Sequence, residues 1–197
     1  MSERTTDTSA SLLLRIRDPN DRDAWATFVD VYAPLIRRYC QRKGLQSSDA
    51  ADVSQELMLR VSRAISSFEY SRELGRFRNW LGRITANEIA SNWTRTGRLP
   101  VDTDRITSDL KQGDPDWNQE YTDHILSLAV DRIRGEFAGD TWAAFEATWI
   151  RHESPVAVAS KLGIAIHVVY VNKSRVLKRL KTEVMALAED IPAIQKP

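Results

Sequence analysis

Apolar residues in the first half of the chain recur at steps of three and four. Trp25, Phe28, Tyr32, Leu35, Ile36 and Tyr39 make one stripe, which predicts an amphipathic helix. Pro34 lies inside it and predicts a kink or a break, because proline removes a helix hydrogen bond and its ring crowds the preceding turn. Gly44 ends the pattern. Ser47, Ser48 and Asp49 offer caps for a second helix, with Asp52 expected in its first turn, where the helix dipole favours an acid. The second stripe is Val53, Leu57, Val61, Ala64, Ile65 and Phe68. A polar stretch, 69–75, separates it from a third: Phe77, Trp80, Leu81, Ile84, Glu88 with Ile89, and Trp93. Three such helices in a short stretch can bury a common core as a small bundle.

Residues 97–120 change character. Gly97-Arg98-Leu99-Pro100 and Gly113-Asp114-Pro115-Asp116 read as turn material. Three basic residues (Arg98, Arg105, Lys111) face six acids (Asp102, Asp104, Asp109, Asp114, Asp116, Glu120), a net charge of −3. The stretch reads as an acidic linker between two domains. Helical spacing returns with Ile125, Leu128, Ala129, Ile133 and Phe137, breaks at Gly139-Asp140, and resumes with Trp142, Phe145 and Trp149. Ser154-Pro155 reads as an N-cap followed by proline at the first helical position. A short helix over 156–162 then ends at Gly163, and a last helix spans about 166–188. Val168 to Val171 is β-prone, but its flanks follow the helical period. No strand and no internal repeat emerge. The expected fold is all-α, with an arm (1–19), a first helical domain (20–96), the linker (97–120), a second helical domain (121–188) and a tail (189–197).

Composition narrows the classes. In 197 residues, 42% are hydrophobic and 28% charged, which is globular rather than disordered. The formal net charge of +1 is silent about nucleic acid, so only charge distribution informs. Cys40 is the single cysteine and cannot form an internal disulfide. His124, His152 and His167 lack metal-ligand spacing, so neither a metal nor a cofactor is expected. No apolar run approaches the roughly 20 residues of a membrane span, and residues 1–10 lack the form of a signal peptide. A soluble cytoplasmic protein, without membrane insertion, is the expectation. Glu56 and His124 are candidate acid and base groups, but nothing pairs them at a catalytic spacing and no glycine-rich phosphate loop is present. No enzyme is expected.

The most informative stretch is Pro155 to Val169. Ala159 sits inside a short helix, Gly163 follows four residues later, and Val169 anchors the next helix six residues on. This is helix-turn-helix spacing: the alanine lets two helices approach and the glycine makes the turn. Projected at about 100° per residue, Val169, Val176 and Leu180 face the core. His167, Val171, Ser174 and Lys178 face away, with Tyr170 and Arg175 at the margins. From His167 to Lys181 there are five basic residues (Lys173, Arg175, Lys178, Arg179, Lys181) and no acid, as phosphate contacts require. Lys173 projects near the core, so its stem is expected to pack while its amine reaches water. The plainer alternative is a helical hairpin with a solvated basic face. In the first domain, Phe68, Tyr70, Arg72, Arg76, Phe77, Arg78, Trp80, Arg83, Trp93 and Arg95 interleave rings with guanidinium groups. That mixture suits single-stranded DNA, where bases stack on rings, although Phe77, Trp80 and Trp93 read more simply as core.

These segments, in this order, resemble the sigma-70 family, in particular its short extracytoplasmic-function (ECF) group. Asp49-Ala-Ala-Asp-Val-Ser-Gln-Glu56 is similar to the family helix that grips the polymerase's largest subunit. Phe77 to Asn87 resembles the promoter-melting and minus-ten segment, and Ser154 to Leu180 the minus-thirty-five-reading helix-turn-helix. The opening 12–19 and the run 169–177 resemble a bacterial subgroup of such factors. The common Gly-Thr-Val entry to the recognition helix is replaced here by His167-Val168-Val169. The resemblance implies that residues 20–96 are sigma region 2 and 121–188 sigma region 4. It implies core RNA polymerase contacts at Asp49, Asp52, Gln55, Glu56, Leu59 and Arg60. Melted minus-ten DNA would meet Phe68, Tyr70, Arg72, Arg76, Arg78, Asn79, Arg83, Asn87 and Arg95. Duplex minus-thirty-five DNA would meet His167, Tyr170, Val171, Ser174, Arg175 and Lys178. Promoter DNA, core polymerase and an anti-sigma factor are the implied partners. The competing reading is a helix-turn-helix regulator that binds operator DNA without joining polymerase.

Overall fold

The computed structural model describes residues 9–67, 77–97 and 114–187. All regular structure among them is helical, and no strand occurs. The elements are α1 (Ser9–Arg15), α2 (Arg22–Arg42), α3 (Ser47–Ala64), α4 (Phe77–Thr96), α5 (Pro115–Ile133), α6 (Gly139–Phe145), α7 (Pro155–Leu162) and α8 (Ile166–Leu187). Short 3-10 turns follow α3 and α5, and a π-helical turn, Glu146–Ile150, follows α6. The chain divides into two compact units, Met1–Ile125 and Leu126–Pro197, and the division falls within α5.

In the first unit, α2 and α3 bury the predicted stripes. Phe28, Tyr32, Leu35, Ile36 and Tyr39 are buried on α2, and Val53, Leu57 and Val61 on α3. Pro34 does not end α2, which runs on to Arg42. Buried neighbours on both sides, Val31, Tyr32, Leu35 and Ile36, hold the helix across the missing N–H. Asp21 caps α2 through Ala24 N at 3.0 Å and pairs with Arg15 at 2.7 Å. That pair, with the burial of Leu12 and Ile16, ties part of the expected arm to the bundle. Gln46, rather than Ser47, Ser48 or Asp49, occupies the N-cap of α3, and its side chain makes no cap bond. Asp49 lies in the first turn and Asp52 one turn further on.

The largest departure from expectation lies at 114–125. Residues 114–120, read as the end of the linker, and 121–125, read as the start of the second domain, belong to the first unit, with helix from Pro115 onward. Asp114 caps α5, its Oδ1 accepting from Asp116 N at 2.8 Å, and Pro115 is the first helical residue. The first half of α5 then closes the aromatic floor of the first unit. Trp117, Tyr121 and Ile125 are at most 3% exposed. Trp117 meets Tyr39 edge-on at 5.0 Å between ring centroids. Tyr121 lies against Tyr32, their hydroxyls 3.4 Å apart. Trp117 Nε1 donates to Arg78 O at 3.0 Å across Gly82, where a Cβ would come within 2.6 Å of the indole.

A polar rim surrounds this seam. Glu120 accepts from Arg38 Nε at 3.0 Å and Arg42 Nη1 at 2.7 Å. Lys43 Nζ lies 2.7 Å from Asp114 and 2.8 Å from Asp116, and Tyr39 donates to Asp114 at 2.6 Å. Burial raises the Tyr39 hydroxyl pKa, and the Asp114 carboxylate raises it further. Burial also pushes the Cys40 thiol up to about 12. Desolvation alone would raise the Glu120 carboxyl, but the Arg42 and Arg38 hydrogen bonds outweigh it and hold it below its usual range. Both arginine side chains are about half exposed (50% and 51%), so solvent screens each pair and each adds little. Burying each large apolar side chain contributes about 1.5–3 kcal/mol. Packing therefore holds the seam and the ion pairs set its register. The acidity read into the linker belongs to this rim. Without Asp114, Asp116 and Glu120, the three basic residues of 98–113 balance its three acids, Asp102, Asp104 and Asp109.

His124 sits at the end of the rim. Its Nε2 donates to Val31 O at 2.6 Å and its Nδ1 accepts from Arg38 Nη2, which selects the neutral Nε2–H form. Desolvation lowers its pKa, and the nearby Arg38 charge adds to that.

In the second unit, Ala144, Ala147, Val158 and Val169 form a core against which Ala159, Leu162 and Ile164 pack. Phe145 stacks on Trp149 at 5.2 Å. Ser154 caps α7 through Ala157 N at 3.2 Å. Gly163 takes the left-handed conformation (φ 65°) that glycine adopts without strain. Ile164 N donates to Ala159 O at 3.1 Å, and α7 and α8 diverge by 104°. This is helix-turn-helix geometry.

Two outcomes test the seam. Gly82→Ala should lower unfolding stability by about 1–3 kcal/mol through overpacking against Trp117, outweighing the ~1 kcal/mol that alanine gains over glycine within a helix; denaturant unfolding measures it. His124 has a folded pKa below its unfolded value, so the unfolded chain takes up a proton first as pH falls. Stability should be fully present above about pH 6.5 and decline below it. The same titration of His124→Gln should show a shallower decline.

Candidate functional site

Predicted residues converge on surfaces of both units. In the first unit, a groove of about 550 Å³ runs between α3 and α4. It is lined by Asp49, Asp52, Gln55, Glu56 and Leu59 of α3, and by Glu88, Asn92, Arg95 and Thr96 of α4. Five of the six residues expected to meet polymerase therefore share one groove. The sixth, Arg60, borders it. Its Nη2 lies 2.7 Å from Glu88 Oε2 and its Nε 3.6 Å from Glu56 Oε1. Glu88 is a 2%-exposed carboxylate, and its contact with Arg60 is a charge pair without a well-directed hydrogen bond. Four carboxylates and one guanidinium line the groove, while Leu59 stays 48% exposed at its side. The arrangement repels phosphate and favours a partner bearing cations around an apolar contact.

The residues expected at melted DNA divide into three sets. Phe68, Tyr70, Arg72 and Arg76 lie outside the described residues. Asn79, Arg83 and Asn87 are exposed on α4 at four-residue steps, so they share one face. Arg78 and Arg95 stand apart from it. Arg78 is half-buried, its guanidinium 5.9 Å from the Tyr121 ring centroid and its carbonyl engaged by Trp117. Arg95 is exposed and lines the acidic groove. Phe77 and Trp93 are core at 3% exposure, and Trp80 is half-buried.

In the second unit, all six residues expected at duplex DNA are exposed: His167, Tyr170, Val171, Ser174, Arg175 and Lys178. The opposite face of α8 buries Val169, Asn172, Val176 and Leu180. Lys173 is half-buried, as its position near the core predicts. Arg179 leaves the basic strip. It pairs with Glu136 at 2.7 Å and Glu183 at 2.9 Å, and these bonds raise its pKa further. Asn172 was hidden in the sequence as a polar residue within an apolar period. Glu88 had a visible signal: an acid in the apolar stripe of α4 needs a cation from a neighbouring helix.

Among the described residues, no His, Cys, Asp and Glu side chains group as three or more metal ligands. No single helix there is long and apolar enough to cross a membrane.

Residues 28–99 match the Sigma-70 region 2 family. That segment holds the acidic groove and the α4 face. The chain is 32% identical over 141 residues to the ECF RNA polymerase sigma-E factor of Haemophilus influenzae, covering 68% of this chain and 69% of the relative. The chain belongs to the ECF group of the sigma-70 family. Two further ECF RNA polymerase sigma factors are similar to it. SigE of Mycolicibacterium smegmatis is 32% identical over 123 residues, 58% of this chain and 45% of the relative. SigW of Bacillus subtilis is 37% identical over 67 residues, 34% of each. This ECF chain thus matches less than half the length of those two curated relatives. The family-matched segment ends before Asp114, so the half-helix that closes this ECF chain's first unit lies beyond it.

Proposed function

We propose that the chain is a promoter-selecting subunit of bacterial RNA polymerase. The observation that carries this reading is the pairing of two surfaces of opposite character. The acidic α3–α4 groove collects the residues expected to grip polymerase, and α8 presents the six residues expected to read duplex DNA. A regulator that binds operator DNA without polymerase accounts for α8 and leaves the groove without a role.

In this reading, core polymerase docks on Asp49, Asp52, Gln55, Glu56 and Leu59, with Arg60 held by Glu88 at the border and Arg95 sharing the groove. An anti-sigma factor would act by covering the same groove. The α4 face of Asn79, Arg83 and Asn87 follows the chain segment of Phe68, Tyr70, Arg72 and Arg76. Together they would hold the melted strand, where each stacked base contributes about 1–3 kcal/mol. The helix-turn-helix enters the major groove of duplex DNA through His167, Tyr170, Val171, Ser174, Arg175 and Lys178. RNA synthesis is the polymerase's chemistry, so this chain supplies no catalytic residue. Its place of action is the cytoplasm, with polymerase.

The test is a gel-filtration experiment with bacterial core polymerase, followed by titration of the complex with promoter duplex at several salt concentrations. The chain should co-elute with core, and Glu56→Lys should weaken co-elution while leaving helicity unchanged. Arg175→Ala or Lys178→Ala should weaken duplex binding and reduce the salt slope by about one ion each. Co-elution unaffected by Glu56→Lys, or an unchanged salt slope, overturns the assignment of that surface.

A further inference from the structure

The outward face of α8 is chemically unusual for a surface that contacts DNA. Its outermost line runs His167, Val171, Ser174, Lys178. Val171, at the centre of the first two turns, is 52% exposed. Tyr170 beside it is 55% exposed and Ile166, at the helix start, 43%. A scattered exposed apolar side chain needs no explanation. Three within six residues, on the helix turns that enter the groove in a helix-turn-helix, do. Arg175 and Lys178, both exposed, flank them and would draw in phosphate, so the surface suits a polyanion with an apolar group on it.

The chemistry of the groove then selects the ligand. Valine neither donates nor accepts a hydrogen bond. The backbone of α8 at this point is occupied by its own helix bonds. The major groove offers one apolar group on its base edges, the C5 methyl of thymine. Valine in a helix holds essentially one χ1 rotamer, so its methyl groups are presented without a large ordering cost.

We propose that Val171 is a specificity-determining residue that reads a thymine methyl in the duplex promoter element, with the Tyr170 ring closing one side of the contact. This rests on the reading of α7–α8 as the duplex-binding helix-turn-helix. The apolar first turns favour a thymine-containing element, and the hydrogen-bonding side chains His167, Ser174 and Arg175 read the neighbouring base pairs.

The experiment uses the full chain assembled with bacterial core polymerase and a pool of duplexes with a randomised segment. Selected duplexes are resynthesised with deoxyuridine at each thymine in turn, which removes only the methyl group. At one thymine or more, wild-type binding should weaken roughly fourfold, the expected worth of one buried methyl group. Val171→Ala should bind the thymine duplex about as weakly as wild type binds the uracil one, and lose sensitivity to uracil at that position. Val171→Ile, which keeps the apolar contact, should retain it. Uracil tolerated at every position, or sensitivity unchanged in Val171→Ala, overturns the inference and leaves the promoter-binding reading intact. Failure of the complex to form or to select any duplex overturns that reading and the inference with it.

Discussion

The first unit depends on the closure of its aromatic floor by the first half of α5. Phe28, Tyr32 and Phe77 meet at centroid distances of 4.6 to 6.0 Å, and Tyr39 continues the same face of α2. Without Trp117 and Tyr121 this face would open to water. Their seat requires Gly82, since any side chain there meets the indole. The contact fixes α4 against α2, and α3 packs on both. The groove between α3 and α4 is therefore set by residues far along the chain from it. The ion pairs around the seam involve half-exposed arginines and add little energy. Their value is directional: Glu120 between Arg38 and Arg42, and Asp114 on Lys43 and Tyr39, admit one register of α5.

Charge is sorted locally in a chain whose net charge is close to zero. Acids collect in the α3–α4 groove and on the α5 rim. Exposed cations collect on α8. Ion pairing removes some formal charges from service. Arg179 is committed to Glu136 and Glu183, and Lys43 to Asp114 and Asp116. Among the described residues, the exposed charge includes a negative groove in one unit and a positive, partly apolar helix face in the other. A surface that repels phosphate and one that attracts it cannot serve the same ligand. That is the physical ground for reading protein contact at the α3–α4 groove and duplex DNA contact on α8.

α2 and α3 were legible because their apolar period is strong, and the helix-turn-helix because Ala159, Gly163 and Val169 sit at fixed offsets. The projection of α8 placed its core and outward residues correctly because a straight helix obeys its period. The seam was hidden for two reasons. Gly113-Asp114-Pro115-Asp116 looks like a turn, yet Asp114-Pro115 is the same cap-then-proline pattern as Ser154-Pro155. The stripe Trp117, Tyr121, His124 and Ile125 was also read only from Ile125 onward, with its acids counted as linker charge. Arg95 was grouped with Asn79, Arg83 and Asn87, although the eight residues beyond Asn87, just over two turns of α4, rotate it by about 80° to the acidic groove. Pairs such as Arg60–Glu88 join different helices, so no local period reveals them.

Promoter-dependent transcription by a reconstituted enzyme tests the central claim most directly. Bacterial core polymerase, this chain and a duplex template carrying an element selected by their complex would be combined in a run-off reaction. The account predicts a transcript with a fixed start that requires both the chain and the element. Core polymerase that gains no specific start from the folded chain would contradict it.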